Sequence, residues 1–142
     1  AEEIVAGAME ELGTGSEVYG LIHGDLHLKS LLFTEDNRPV VIDFDTCGWG
    51  YYVYDLAVAV WNIFNRDDFT ALRDALLKGY RKVRPLSLME ETLMIHFVAG
   101  RLMIQILTWA PRRAHSPLKE TADKAIEKQI GQLKALLRIL NE

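Results

Sequence analysis

Apolar positions change their spacing several times along the chain, and each change marks an element. In AEEIVAGAMEELG, Ile4, Val5, Ala8, Met9 and Leu12 fall at helical steps, and Gly13 ends the run. VYGLIHG follows, where Val18, Tyr19, Leu21 and Ile22 favour an extended strand. LLF at 31–33, a turn through Asp36, Asn37 and Pro39, and VVIDF at 40–44 predict a β-hairpin. From Tyr54 the pattern is helical again, first in YDLAVAVWNIF and then in DDFTALRDALLKGYRKV, whose Phe69, Leu72, Leu76, Tyr80 and Val83 share a face. Pro85 ends that helix. SLME at 87–90 has the serine-to-glutamate spacing of a capping box, and it opens a long apolar helix running through Trp109 to a stop at Pro111. A last helix, 118–141, carries Ile126, Ile130, Leu133, Leu137 and Leu140 along one seam, too short for a coiled coil and therefore predicted to face an intramolecular core.

The 142-residue length suits one hydrophobic core, so a single domain over 1–142 is expected. With 49% hydrophobic and 25% charged residues, the composition is that of a folded chain. A formal charge of -4 gives no general attraction to phosphate backbones or anionic lipid, and RKVRP and PRR are too short to form a basic patch; no nucleic acid is expected as partner. LMIHFVAGRLMIQILTWA approaches bilayer-spanning length but carries Arg101 near its middle, flanked by His96 and Gln105, and so reads as a buried helix and not a membrane span. One cysteine, Cys47, cannot form an internal disulfide, which points to the cytoplasm. Because the first helical pattern lacks a capping residue and Ala1 is not a methionine, the chain reads as part of a longer protein.

Candidate chemistry is concentrated in HGDLHLKS (23–30) and VIDFD (41–45). Asp25 follows a strand and a glycine, which places its carboxylate on a loop where a substrate hydroxyl can reach it as a general base. Asp43 lies at the far end of the hairpin, and paired strands would bring the two carboxylates to one end of a small sheet. Such a pair suits Mg²⁺, with Asp45 as a third candidate. His23, Asp25, His27, Asp43 and Asp45 could instead form a metal-hydrolase cluster, although the further histidines such sites need are not in this segment. Cys47 has no paired histidine and reads as a packing residue.

H-x-D followed five positions after the Asp by a metal-binding position, and then a strand ending in D-F-x, resembles the catalytic signature of the kinase fold. HGDLH, VIDFD and YDLA together resemble the aminoglycoside phosphotransferase and choline-kinase branch, densely over residues 21–57. The resemblance implies an α+β, mainly helical fold, namely the C-terminal lobe of a protein-kinase-like structure with a small β-hairpin carrying the catalytic loop. It also implies ATP-dependent phosphorylation of a small-molecule hydroxyl, with ATP as co-substrate and Mg²⁺ as cofactor. By that resemblance Asp25 orients or deprotonates the acceptor, His23 buttresses the loop, Asp43 binds Mg²⁺ with help from Asp45, and Asp55 braces the loop backbone. His27 is expected to anchor the loop through a hydrogen bond.

Two departures qualify it. Ser30 stands where the family usually has a metal-ligating asparagine, and Leu28 and Lys29 stand where it commonly has Pro-Gly; a serine hydroxyl can still serve Mg²⁺ through a water or a shifted backbone, and Lys29 could pair with a nucleotide phosphate. The glycine loop and strand lysine that precede HGD in the family are not found in the 22 residues before it, and GTGSEVYG lacks the strand-loop-strand context. The lobe alone is therefore expected not to turn over efficiently. The alternative is a non-catalytic, truncated or degenerate lobe acting in binding or self-association, its exposed apolar surface covered by the missing N-lobe or a second copy.

Overall fold

The helices form close to where the apolar spacing places them: α1 over Glu2–Leu12, α2 over Tyr52–Ile63, α3 over Phe69–Tyr80, α4 over Leu88–Trp109 and α5 over Lys119–Leu140, in a computed structural model that describes residues 1–140. α3, however, stops before Pro85 can end it and leaves Val83 of its predicted face exposed. Gly13 terminates α1 by adopting a φ of 67°, the left-handed conformation that glycine enters without a steric penalty. The chain divides into two compact units, Glu11–Met94 and Ala1–Glu10 with Ile95 onward. All of the candidate chemistry lies in the first.

At the start of α4 the capping box is complete. Ser87 N–H and Oγ both donate to Glu90 Oε2 at 2.9 Å, while Glu90 N–H donates to Ser87 Oγ at 3.1 Å. Glu90 is buried, and its second oxygen accepts from Arg84 at 3.1 Å. Arg84 in turn donates to the Tyr80 hydroxyl and lies 4.3 Å above the Tyr52 ring. Burial raises the Tyr80 phenol pKa above its ordinary value. The cap thus also supplies the counter-ion for a partly buried guanidinium. Ser87→Ala removes the hydroxyl from this arrangement and is expected to lower stability by about 1 kcal/mol in denaturant titration.

Among the described residues, four short strands make two antiparallel ribbons. β1 (Tyr19–Ile22) pairs with β4 (Gly48–Tyr51), setting Tyr19 opposite Tyr51, Gly20 opposite Gly50 and Leu21 opposite Trp49. β2 (Leu31–Phe33) pairs with β3 (Pro39–Val41), setting Leu31 opposite Val41 and Phe33 opposite Pro39. The hairpin is the predicted one, but its second strand stops at Val41 and not at Phe44. Asp43 takes a φ of 67°, which no extended strand accommodates. The two candidate carboxylates therefore follow strands of different ribbons, and the expectation that they share the end of one sheet is corrected.

β4 was not predicted, because GWGY contains two glycines and glycine is a poor strand former. A Cβ on Gly50 would collide with the Ile22 side chain, and one on the facing Gly20 of β1 with the Tyr52 hydroxyl. Gly50, one of the two glycines that hide this strand from its sequence, thus also lets the ribbon be approached closely, while Gly48 has open space around it. β4 runs directly into α2, which starts at Tyr52 and not at Tyr54.

In the second unit the buried stripe of α5 is Ala122, Gln129 and Leu136, while Ile130 of the predicted seam is exposed; the face that packs is rotated by one position from the apolar one. The segment Leu88–Ala114 is long and apolar enough, by length and composition, to cross a membrane. Along α4, however, Leu93, Met94, Phe97, Ala99 and Leu102 are buried within the protein, as is Arg101. That pattern supports the reading of a core helix.

Candidate active site

The loop after β1 is held from the first turn of α2. Asp55 accepts the backbone N–H of His23 on Oδ2 and that of Gly24 on Oδ1, both at 2.8 Å, so one carboxylate brackets two successive amides. Gly24 takes a φ of 80°, and a Cβ there would run into the Thr46 carbonyl oxygen. Thr46 also donates its hydroxyl to His23 O at 3.1 Å, tying the loop to the segment that leads into β4.

His23 is buried and uses both ring nitrogens. Nε2 lies 2.9 Å from the Ile42 carbonyl, which can only accept, so Nε2 carries the proton; Nδ1 accepts the Asp25 N–H at 3.3 Å. The ring also packs 4.7 Å from that of Phe44. A single imidazole thereby joins the backbone of Asp25 to the residue before Asp43. With both nitrogens engaged it is unavailable to a metal, which removes a ligand from the hydrolase cluster considered above.

The Asp25 carboxylate is partly exposed, and its Oδ2 lies 3.7 Å from His27 Nε2. His27 caps a short 3₁₀ turn over Leu28–Ser30, its Nδ1 accepting the Lys29 N–H at 3.1 Å. Ser30 is 1% exposed; its hydroxyl donates to Asp25 O at 2.9 Å and lies 3.1 Å from His27 Nδ1. The loop therefore points this hydroxyl inward. Ser30 O accepts the Ile42 N–H, so the same residue starts the hairpin. The Lys29 side chain is exposed.

Asp43 and Asp45 are exposed and, among the described residues, have no ion-pair partner. The left-handed backbone at Asp43 is one that aspartate tolerates better than most residues, and such conformations recur at functional positions. Among the described residues no three His, Cys, Asp or Glu side chains converge into a protein cage for a metal. The donor set suits Mg²⁺ of the kind that takes one or two carboxylates and completes its shell with water and phosphate. Cys47, expected to pack, is exposed.

Two neighbouring cavities, of about 360 Å³ and 810 Å³, open between the loop, the hairpin, α2 and α3, and share Leu26, Val41, Ala59 and Leu76 in their walls. The smaller is otherwise apolar apart from His27, whereas the larger also reaches Tyr52, Asp55 and Arg84. Thr46 and Asn62, whose side-chain oxygen accepts the Leu28 N–H at 3.3 Å, are supports the sequence did not reveal. Neither stands in a local pattern, and each acts across a tertiary contact.

Residues 3–91 match the model of a phosphotransferase enzyme family. An uncharacterized protein of Deinococcus radiodurans is 37% identical over 89 residues, covering 60% of this chain and 26% of that protein. A homoserine kinase of Rhodospirillum rubrum is 32% identical over 104 residues, covering 71% of this chain and 32% of the enzyme. Among solved structures, a microcompartment-associated aminopropanol kinase superposes with a TM-score of 0.80 at 33% identity, over 99% of this chain and 43% of its own. The chain spans less than half the length of each.

Proposed function

Because this chain belongs to the phosphotransferase enzyme family, we propose that it carries the catalytic loop of an ATP-dependent kinase acting on the hydroxyl of a small molecule. The observation that carries the reading is the His23 bridge, which ties the Asp25 amide to the Ile42 carbonyl and so holds the two acidic segments in one arrangement. Phosphoryl transfer depends mainly on positioning and on neutralising charge at the phosphate oxygens. In this reading Asp25 orients the acceptor hydroxyl and takes its proton, while Asp43, with Asp45 nearby, holds Mg²⁺. The bound Mg²⁺ supplies positive charge to the phosphates. In the same reading Lys29, exposed within the loop, pairs with a phosphate oxygen.

The relatives whose names specify an acceptor, homoserine kinase and aminopropanol kinase, point to a small amino alcohol. An amine would be favoured by the acidic surroundings of Asp25, Asp43 and Asp45.

Thermal unfolding tests the reading. Mg²⁺ with ATP is expected to raise the melting temperature of the chain, and Asp43→Asn, which keeps the left-handed backbone preference but removes the charge, is expected to abolish the shift. An equal shift in Asp43→Asn, or none in the parent at millimolar Mg²⁺ and ATP, would count against it.

The hairpin favours a second use. Leu32 and Phe33 are 55% and 65% exposed, and Val40 is exposed beside them, so the ribbon presents a cluster of apolar side chains to water. Self-association through this ribbon predicts a concentration-dependent mass in sedimentation, lost in Phe33→Lys.

A further inference from the structure

The family position occupied by Ser30 is one expected to ligate metal, yet its hydroxyl is buried and turned into the loop. A hydroxyl has one proton to give, and two acceptors lie within reach: Asp25 O at 2.9 Å and His27 Nδ1 at 3.1 Å. His27 Nδ1 already receives the Lys29 N–H, so it is the unprotonated ring nitrogen. The Ser30 proton is then shared between two acceptors, a three-centre bond of the kind common at helix termini, here at the end of the 3₁₀ turn. The ring proton must sit on Nε2, the atom that faces Asp25 Oδ2 at 3.7 Å.

We infer that Ser30 is a positioning residue: it holds the Asp25 carbonyl and, together with the Lys29 N–H, keeps His27 in the tautomer that directs an N–H at the Asp25 carboxylate, and it does not ligate the divalent cation. Contact with the cation is left to Asp43 and Asp45. That Asp25 is the acceptor-orienting group rests on the reading above, whereas the tautomer and the role of the hydroxyl do not.

The discriminating measurement is nitrogen-15 NMR of the imidazole rings in the full chain, without nucleotide or metal, for the parent, Ser30→Ala and Ser30→Thr. The parent should show His27 chiefly as the Nε2–H form. Loss of the hydroxyl donor in Ser30→Ala should raise the share of the Nδ1–H form about fivefold, the change one hydrogen bond supports, and Ser30→Thr should restore the parent spectrum. His23 serves as the internal reference, because its tautomer is set by Ile42 O and should not move. Titration of Mg²⁺ with ATP, followed by the melting shift, supplies the second arm. Affinity in Ser30→Ala should stay within about twofold of the parent, whereas loss of a true ligand should cost tenfold or more. Unchanged His27 signals in Ser30→Ala overturn the positioning role, and a tenfold loss of Mg²⁺-dependent binding in that variant overturns the exclusion of Ser30 from the metal. If the parent binds no Mg²⁺ and ATP at all, the kinase reading fails while the ring measurement still decides the role of Ser30.

Discussion

Asp55→Ala is expected to destabilise the chain by about 3–5 kcal/mol, because it strips two adjacent amides of one charged acceptor. His23 N–H and Gly24 N–H each donate to that carboxylate at 2.8 Å, and among the described residues neither has a second side-chain acceptor. A lost surface ion pair would matter little. Here the loss leaves two N–H groups near a buried histidine without partners, and desolvation of each group is the dominant cost. Asp55→Asn keeps one acceptor oxygen and should show roughly half the effect. Equilibrium unfolding in denaturant gives the energies, and hydrogen exchange at the two amides gives their location. Full retention of protection at His23 and Gly24 in Asp55→Ala would show that the carboxylate does not hold the loop.

Gly24→Ala is the second large effect, about 2–4 kcal/mol. It combines the penalty of a left-handed backbone for a residue with a Cβ and the displacement of the Thr46 carbonyl, which is backbone and cannot rotate aside. Gly13→Ala is the matched control. Gly13 has a φ of 67° but open space around it, so that variant should incur only the conformational penalty, about 1 kcal/mol. The difference between the two variants measures the collision alone. If both cost the same, the close approach of Thr46 to the loop is not a constraint.

How much of this was legible in the sequence depends on how far each determinant acts. The capping box at Ser87 and Glu90, the stop at Gly13 and the hairpin between Leu31 and Val41 are all decided within a few residues, and the pattern located them. The motif residues were visible as a set, and the bracing of the loop by Asp55 was implied by family resemblance. What could not be read was the wiring between segments. That His23 reaches Ile42 O, that Thr46 reaches His23 O, and that the Ser30 hydroxyl turns inward are consequences of how β1, the hairpin and the loop come together. β4 was missed for a related reason: its two glycines are unfavourable for a strand locally, and one of them, Gly50, is required by the close approach of Ile22 across the ribbon. The face of α5 was misjudged by one position, since apolar spacing marks a sector of a helix and tertiary contact selects the centre of that sector.

Tyr52 joins two regions that lie far apart in the chain. Its hydroxyl fills the notch over Gly20 in the strand before the motif, and its ring supports the Arg84 cation that is paired with Glu90. Residues 19–33, 39–55 and 80–90 should therefore lose amide protection together, as one cooperative block. The hairpin tip, fastened by bonds among its own residues Thr34, Asp36, Asn37 and Arg38, should open and close on its own, far more often than the block that carries it.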